Sequence, residues 1–177
     1  SMRRDPGLGP SDVLCAVVTL SFDIAGYEMY VPLASGATIA VADRETAQDG
    51  RDLAALMKQA GATVLQATPS TYRLLKASGF DPKGLKALVG GELFPVDLAA
   101  WLVESGATVV NCYGPTETTI WSTLHPLGSR APSGAIPIGK PMDNTTVYIV
   151  DASGEPCAVG VFGELLIGGA GVARGYL

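Results

Sequence analysis

Residues 62–92 read ATVLQATPSTYRLLKASGFDPKGLKALVGGE. The apolar run at 62–66 has the length of a strand. Pro69 follows, a residue suited to the first turn of a helix because it has no N–H to lose, and the helix is expected to run to 77. A second apolar run at 85–89 then enters Gly90, Gly91 and Glu92. Strand, helix and strand at this spacing make a crossover unit with parallel strands. The same rhythm extends outward on both sides. The run at 13–18 is a strand covered on both faces, and 21–30 is a helix with Asp23 as a candidate N-cap, ending or kinking at Pro32. A strand at 37–42 precedes an amphipathic helix at 49–59 closed by Gly61. A helix at 95–105 and a strand at 107–111 complete the series. The predicted architecture is α/β, a doubly wound and mostly parallel sheet of five or more strands with helices on both faces.

The rhythm breaks after Trp121. The segment 126–141 holds four prolines and three glycines without a period, and is expected to be a loop or a sheet crossing. Residues 145–150 alternate β-branched side chains, 151–154 form a turn, and 163–168 form another strand. These are the antiparallel strands of an incomplete β-rich subdomain, too few to close a barrel. The division expected is therefore a flavodoxin-like α/β subdomain over 1–122 and the start of a β-barrel-like one over 123–177.

Composition narrows the function classes. With 47% hydrophobic and 16% charged residues, the 177-residue chain is not a disordered tail. Its 12 basic against 17 acidic side chains, with no Lys/Arg cluster, speak against nucleic acid. No apolar run approaches membrane-helix length and no signal-peptide pattern opens the sequence. Cys15, Cys112 and Cys157 are odd in number and widely spaced, so a disulfide framework is not expected and a reducing cytoplasm is. One histidine, His125, and no CxxC leave no His/Cys metal site, and a serine hydrolase would need a GxSxG elbow that the sequence lacks.

In a doubly wound sheet, ligands gather at the carboxyl ends of the strands, here 21–23, 66–69, 90–92 and 112–117. The densest of these is Asn111-Cys-Tyr-Gly-Pro-Thr-Glu-Thr-Thr119. Threonine hydroxyls and freed backbone N–H groups suit a phosphate, and Glu117 suits a hard cation such as Mg2+. A self-bonded polar turn is the plainer alternative. Asp23, at the first of these strand ends, reads from the sequence alone as a helix cap.

The stretch NCYGPTETT resembles the signature loop of adenylate-forming enzymes, in the form found in adenylation domains of nonribosomal peptide synthetases. Four further segments agree in order and spacing: LSFDIAGYEMYVPL at 20–33, QATPS at 66–70, GGE at 90–92 and GELLIGGAGVARGYL at 163–177. The resemblance implies a reaction in which an amino acid carboxylate attacks the α-phosphorus of ATP, giving aminoacyl-AMP and pyrophosphate. The acyl group then passes to the phosphopantetheine thiol of a carrier domain. It implies that Tyr113 stacks on adenine and that Asn111, Gly91, Glu92 and Gly114 line the nucleotide site. Thr116 would bond a phosphate oxygen, Glu117 would ligate Mg2+, and Asp23 would pair with the substrate ammonium.

The matching specificity positions are Ile24, Tyr27, Gln66, Leu88, Gly90, Cys112, Ile120 and Trp121. Besides Asp23 none is charged, and Tyr27 and Trp121 are bulky enough to fill the space of a large side chain, unless both are plain core residues. A small neutral amino acid follows, and the pattern resembles the glycine-type pockets of that family, with alanine next. The resemblance further implies partners outside 1–177: an N-terminal part with a Ser/Thr/Gly-rich phosphate loop, a C-terminal small domain with a catalytic lysine, and carrier and condensation domains. The piece is expected to be inactive alone. A noncatalytic scaffold or recombination unit, or part of an acyl- or aryl-CoA ligase, are the alternatives; the latter has no ammonium for Asp23 to meet.

Overall fold

The computed structural model describes residues 2–176. Seven strands form one sheet in the order β2-β1-β3-β4-β5-β6-β7. They are β1 (Val13–Ala16), β2 (Thr38–Val41), β3 (Val64–Ala67), β4 (Lys86–Gly90), β5 (Thr108–Tyr113), β6 (Thr123–Pro126) and β7 (Lys140–Pro141). The first five are parallel, and β6 and β7 add on antiparallel at one edge. The helices are α1 (Ile24–Ser35), α2 (Arg44–Gln48), α3 (Gly50–Ala60), α4 (Pro69–Ala77) and α5 (Val96–Glu104). A separate antiparallel pair, β8 (Thr145–Val150) with β9 (Glu164–Gly169), forms its own two-stranded sheet.

Strand alternation divides the interior into two cores. Cys15, Leu65, Ala67, Ala87, Val89 and Val109 face one way and pack with Leu53, Met57, Tyr72, Leu75, Leu98 and Leu102 of α3, α4 and α5. Leu14, Ala16, Val64, Leu88, Val110 and Cys112 face the other way, against Tyr27 of α1 and Trp121. The layers are thus unequal: three long helices cover the first face, and α1 alone among the long helices covers the second. Tyr72 anchors α4 by donating its hydroxyl to the Leu65 carbonyl at 2.8 Å.

Local signals explain most boundaries. Asp49 caps α3 by accepting from the N–H groups of Arg51 and Asp52, and Gly61 closes it in the left-handed region. Thr68 caps α4, with Pro69 in its first turn. Two expectations change. The helix at 21–30 starts later, at Ile24, and runs through Pro32 to Ser35. Pro32 sits one turn from the end, where its carbonyl accepts the Ala37 N–H and helps close the helix at Gly36. The aperiodic segment after Trp121 is not all loop, since β6 and β7 lie at its two ends, β6 paired with β5 and β7 with β6.

Replacing Leu98, fully buried on α5, by alanine is expected to cost about 2–5 kcal/mol in urea unfolding. A loss below about 1 kcal/mol would show that the three-helix face is not the main core.

Candidate functional site

The strand order places a crevice by topology. β1 is followed by β2 on one side and β3 on the other, so the winding reverses between β1 and β3, the position where open α/β sheets bind ligands. The two strands are registered only at Leu14 with Val64 and Cys15 with Leu65, whereas β3 stays with β4 through Ala67. Past Cys15 the strands separate.

A cleft of about 500 Å³ opens there, lined by Val17, Val18 and Thr19 on one wall and by Gln66, Ala67 and Thr68 on the other. Asp23, Ile24, Thr116, Ile120 and Trp121 complete it. A second cleft of about 440 Å³ lies at the ends of β4 and β5, lined by Glu92, Phe94, Asn111, Cys112 and Tyr113. Gly91, Gly114 and Pro115 line both clefts, so the two are neighbours across one loop.

The candidate residues sort between the two. Asp23, Ile24, Gln66, Thr116, Ile120 and Trp121 line the first cleft; Gly91 and Gly114 are shared; Glu92, Asn111, Cys112 and Tyr113 line the second. Tyr27, Leu88 and Gly90 line neither. Tyr27 and Leu88 are buried in the second-face core together with Trp121, so for Tyr27 the plain core reading describes its position. Gly90 touches the first cleft only through Trp121: a Cβ there would lie 2.5 Å from Trp121 Cη2 and 2.5 Å from the Cys112 carbonyl oxygen. The absence of a side chain at 90 is what lets the indole lie against β4. His125 lies on β6 and lines neither cleft.

Asp23 occupies the N-cap position of α1 but makes no capping bond. Its carboxylate instead accepts the N–H of Ile120 at 3.0 Å, across 97 positions of sequence. That bond leaves the other carboxylate oxygen available at the cleft. Ile120 and its neighbour Thr119 both have positive φ, 66° and 63°. Two consecutive β-branched residues in that region carry roughly 1–3 kcal/mol of strain each, of the kind that persists where surrounding structure enforces it. The enforcing contacts are visible: Ser122 N–H to the Tyr113 carbonyl at 2.8 Å, the Thr118 and Ser122 hydroxyls at 2.6 Å, and the Thr119 hydroxyl to the Gly171 carbonyl at 2.7 Å.

The threonines therefore divide. Thr118 follows the self-bonded reading, bonding Pro115 and Ser122; Thr119 reaches Gly171 instead, while Thr116 opens the short helical turn Thr116–Thr118 and faces the first cleft. Glu117 lines neither cleft; one of its carboxylate oxygens accepts the Tyr176 hydroxyl at 3.1 Å, and its carbonyl accepts the Ala173 N–H. No group of three or more metal-ligating side chains occurs among the described residues. A single carboxylate fits Mg2+ only in company with phosphate oxygens and water, which is how that ion is usually held. Tyr113, 37% exposed at the end of β5, offers an aromatic face, and the Asn111 amide donates to the Pro137 carbonyl at 2.8 Å. The Gln66 amide, fully buried, and the Trp121 indole N–H find no partner among the described residues.

Sequence reasoning passed over Glu28. It is 1% exposed, and its two carboxylate oxygens accept the N–H groups of Val17 at 3.2 Å and Val18 at 3.0 Å. Burial pushes its carboxyl up to about 7, against the two N–H bonds that pull it down. The available signal was a lone carboxylate within an otherwise apolar helix.

A family model described as AMP-binding enzyme matches residues 1–177. A dimodular nonribosomal peptide synthase of Bacillus subtilis is 44% identical over 99% of this chain, which spans 7% of that relative. Tyrocidine synthase 3 of Brevibacillus parabrevis is 36% identical over 99% of this chain and 3% of its own length. Among solved structures, a four-domain nonribosomal peptide synthetase bound to AMP and glycine superposes with a TM-score of 0.92 at 37% identity, over 99% of this chain and 13% of that one. An artificially fused adenylation–carrier di-domain from Klebsiella oxytoca gives 0.86 at 27% identity, over 96% and 33%. The chain is thus similar to a small part of much longer proteins.

Two outcomes follow from the geometry. Gly90→Val displaces the Trp121 indole; in a Trp101→Phe background its emission shifts to the red, and unchanged emission would contradict the Gly90–Trp121 packing. Because the folded carboxyl of Glu28 titrates near 7 against an ordinary 4.5, its contribution to stability is complete below about 4.5 and is lost as pH rises through about 7. Urea unfolding at these two pH values should show wild type losing more stability with rising pH than Glu28→Gln; equal losses would contradict the assignment.

Proposed function

The chain belongs to the AMP-binding enzyme family, and from that premise we propose that it is the central part of an amino-acid-activating adenylation domain of a nonribosomal peptide synthetase. The observation that carries this reading is Asp23, a carboxylate at the crevice between β1 and β3, held by the Ile120 N–H and open to a ligand cation. A cleft for an acyl substrate without an ammonium group has no use for that charge.

In this reading the first cleft holds the amino acid and the second the adenine. The substrate carboxylate oxygen attacks the α-phosphorus of ATP, and the bond to pyrophosphate breaks. Residues 114–116, between the two clefts, meet the phosphate: Thr116 supplies a neutral donor for charge developing on a phosphate oxygen. Tyr113 stacks on the base, with Asn111, Gly91, Glu92 and Gly114 around it. Glu117 would hold Mg2+, which when bound neutralises phosphate charge. Tyr176 already orients that carboxylate. The aminoacyl group then leaves for the phosphopantetheine thiol of a carrier domain, with AMP as the other product.

Trp121 on the cleft wall, packed against Gly90, restricts the space beyond Asp23, and no second charge faces it; this favours glycine, then alanine. The synthetase relative bound to AMP and glycine supports the same choice. Residues 1–122 would then carry substrate and nucleotide; within 123–177, β6 and β7 extend their sheet, and β8 and β9 would begin a β-barrel-like subdomain. The exposed Phe22, Tyr30 and Leu33 are apolar enough to be covered by the remainder of the domain. No described helix is long and apolar enough to cross a membrane. A cytoplasmic enzyme without nucleic-acid partners, working with condensation and carrier domains, completes the proposal.

Pyrophosphate exchange by the complete adenylation domain, run against twenty amino acids, should be fastest with glycine, and residues 1–177 alone should show none. Asp23→Ala should lower kcat/KM by at least about 100-fold, as expected on removing one partner of a desolvated charge pair. Exchange that does not depend on an amino acid, or is indifferent to Asp23, would overturn the reading.

A further inference from the structure

Glu28 is a charged side chain placed where an apolar one would cost less. It is buried, no cation is among the groups that bear on its titration, and its helix is apolar around it. A buried carboxylate without a cationic partner is expensive unless its hydrogen bonds do something an apolar residue cannot. What this one does is take the N–H groups of Val17 and Val18.

Consecutive N–H groups along a strand point to opposite sides. Both reach a single carboxylate here, so the chain has left strand geometry at 17. That is where β1 ends and where its pairing to β3 has already stopped, at Cys15 with Leu65. Residues 17–19 then form one wall of the first cleft, facing Gln66, Ala67 and Thr68 across it. On the other side, β1 stays paired to β2 as far as Ala16 with Val41. Pairing thus ends one residue earlier on the crevice side than on the β2 side, and beyond 16 neither neighbour is paired. Without Glu28 the two N–H groups would be left unsatisfied at the cleft wall, or the 17–19 segment would turn back toward β3 to find carbonyls and narrow the crevice.

We propose that Glu28 is a positioning residue for the amino acid: by holding the Val17 and Val18 N–H groups it keeps β1 parted from β3 and sets the wall against which the substrate lies. The inference rests on the adenylation reading. Glu28 does not touch the substrate; it acts through 17–19, and it lies on the same helix as Asp23's neighbour Ile24, so both cleft walls near the ammonium depend on α1. The titratable groups that feel the Glu28 charge are Cys15 on β1 and Tyr27 beside it on α1, both pushed up by burial and neutral near pH 7.

The test is Glu28→Gln in the complete adenylation domain, assayed by glycine-dependent pyrophosphate exchange. The amide keeps the size but offers one acceptor and turns an NH2 toward the second N–H. The expected result is a glycine KM raised about tenfold, with kcat and the ATP KM within about twofold, a split that loss of stability alone does not produce. A glycine KM unchanged in the variant, or kcat and both KM values altered together, overturns the role of Glu28. If the variant does not fold, wild type supplies the measurement: glycine KM should fall several-fold between about pH 6 and about pH 8, as the ionised carboxylate gains its second N–H bond. A KM that is flat over that range overturns the inference. Absence of exchange with any amino acid in wild type overturns the adenylation reading and the inference with it; exchange driven by alanine instead moves the same KM test to alanine.

Discussion

Everything in the candidate site depends on the parting of β1 from β3. A parallel sheet whose winding reverses must leave a gap beyond the strand ends at the reversal, because the connections leave in opposite directions from the two strands. Here the gap is enlarged: the ladder stops after two registered pairs, while the neighbouring ladders continue. The parted strands would normally expose backbone donors at cost. Glu28 satisfies two of them from beneath, and the space above becomes the first cleft.

The second constraint is the loop 114–122. It leaves β5, passes between the clefts, bends through two strained residues and delivers Trp121 onto Gly90 before entering β6. Its bonds run to four separate parts of the chain: Asp23 at the start of α1, Tyr113 on β5, Met142 after β7, and Gly171 beyond β9. The last of these ties the loop to the end of the small antiparallel sheet, and so do Ala173 and Tyr176 through Glu117. A loop held at four points can keep a donor, an aromatic face and a carboxylate in fixed relation, which is what charge stabilisation at a transferring phosphoryl group requires.

Most of the fold was legible because its signals are local and agree. The β-α-β unit at 62–92 has a strand-length run, a capped helix and a second strand, and the structure has all three within two residues. Asp49 and Gly61 mark α3 as caps should. What could not be read were features set by distant partners. Asp23 looks like a cap in sequence, but its acceptor bond is to Ile120, 97 residues on, which no local pattern encodes. β6 and β7 are short and proline-bearing, and they are strands only because β5 presents an edge to β6, and β6 in turn presents one to β7. Tyr27 and Trp121 read alike in sequence; burial beneath α1 makes the first a core residue, while Trp121 reaches the cleft. Glu28 was overlooked because a carboxylate inside an apolar helix announces a cost without naming its partner.

The central claim is that the crevice between β1 and β3 holds an amino acid by its ammonium group at Asp23, with a nucleotide beyond residues 114–116. A crystal structure of the complete domain with a non-hydrolysable mimic of glycyl-AMP tests it directly. The account predicts the glycyl nitrogen within hydrogen-bond distance of the Asp23 carboxylate, between the 17–19 wall and Gln66, with the adenine against Tyr113. A glycyl nitrogen placed away from Asp23, or an adenine in the first cleft, would contradict it.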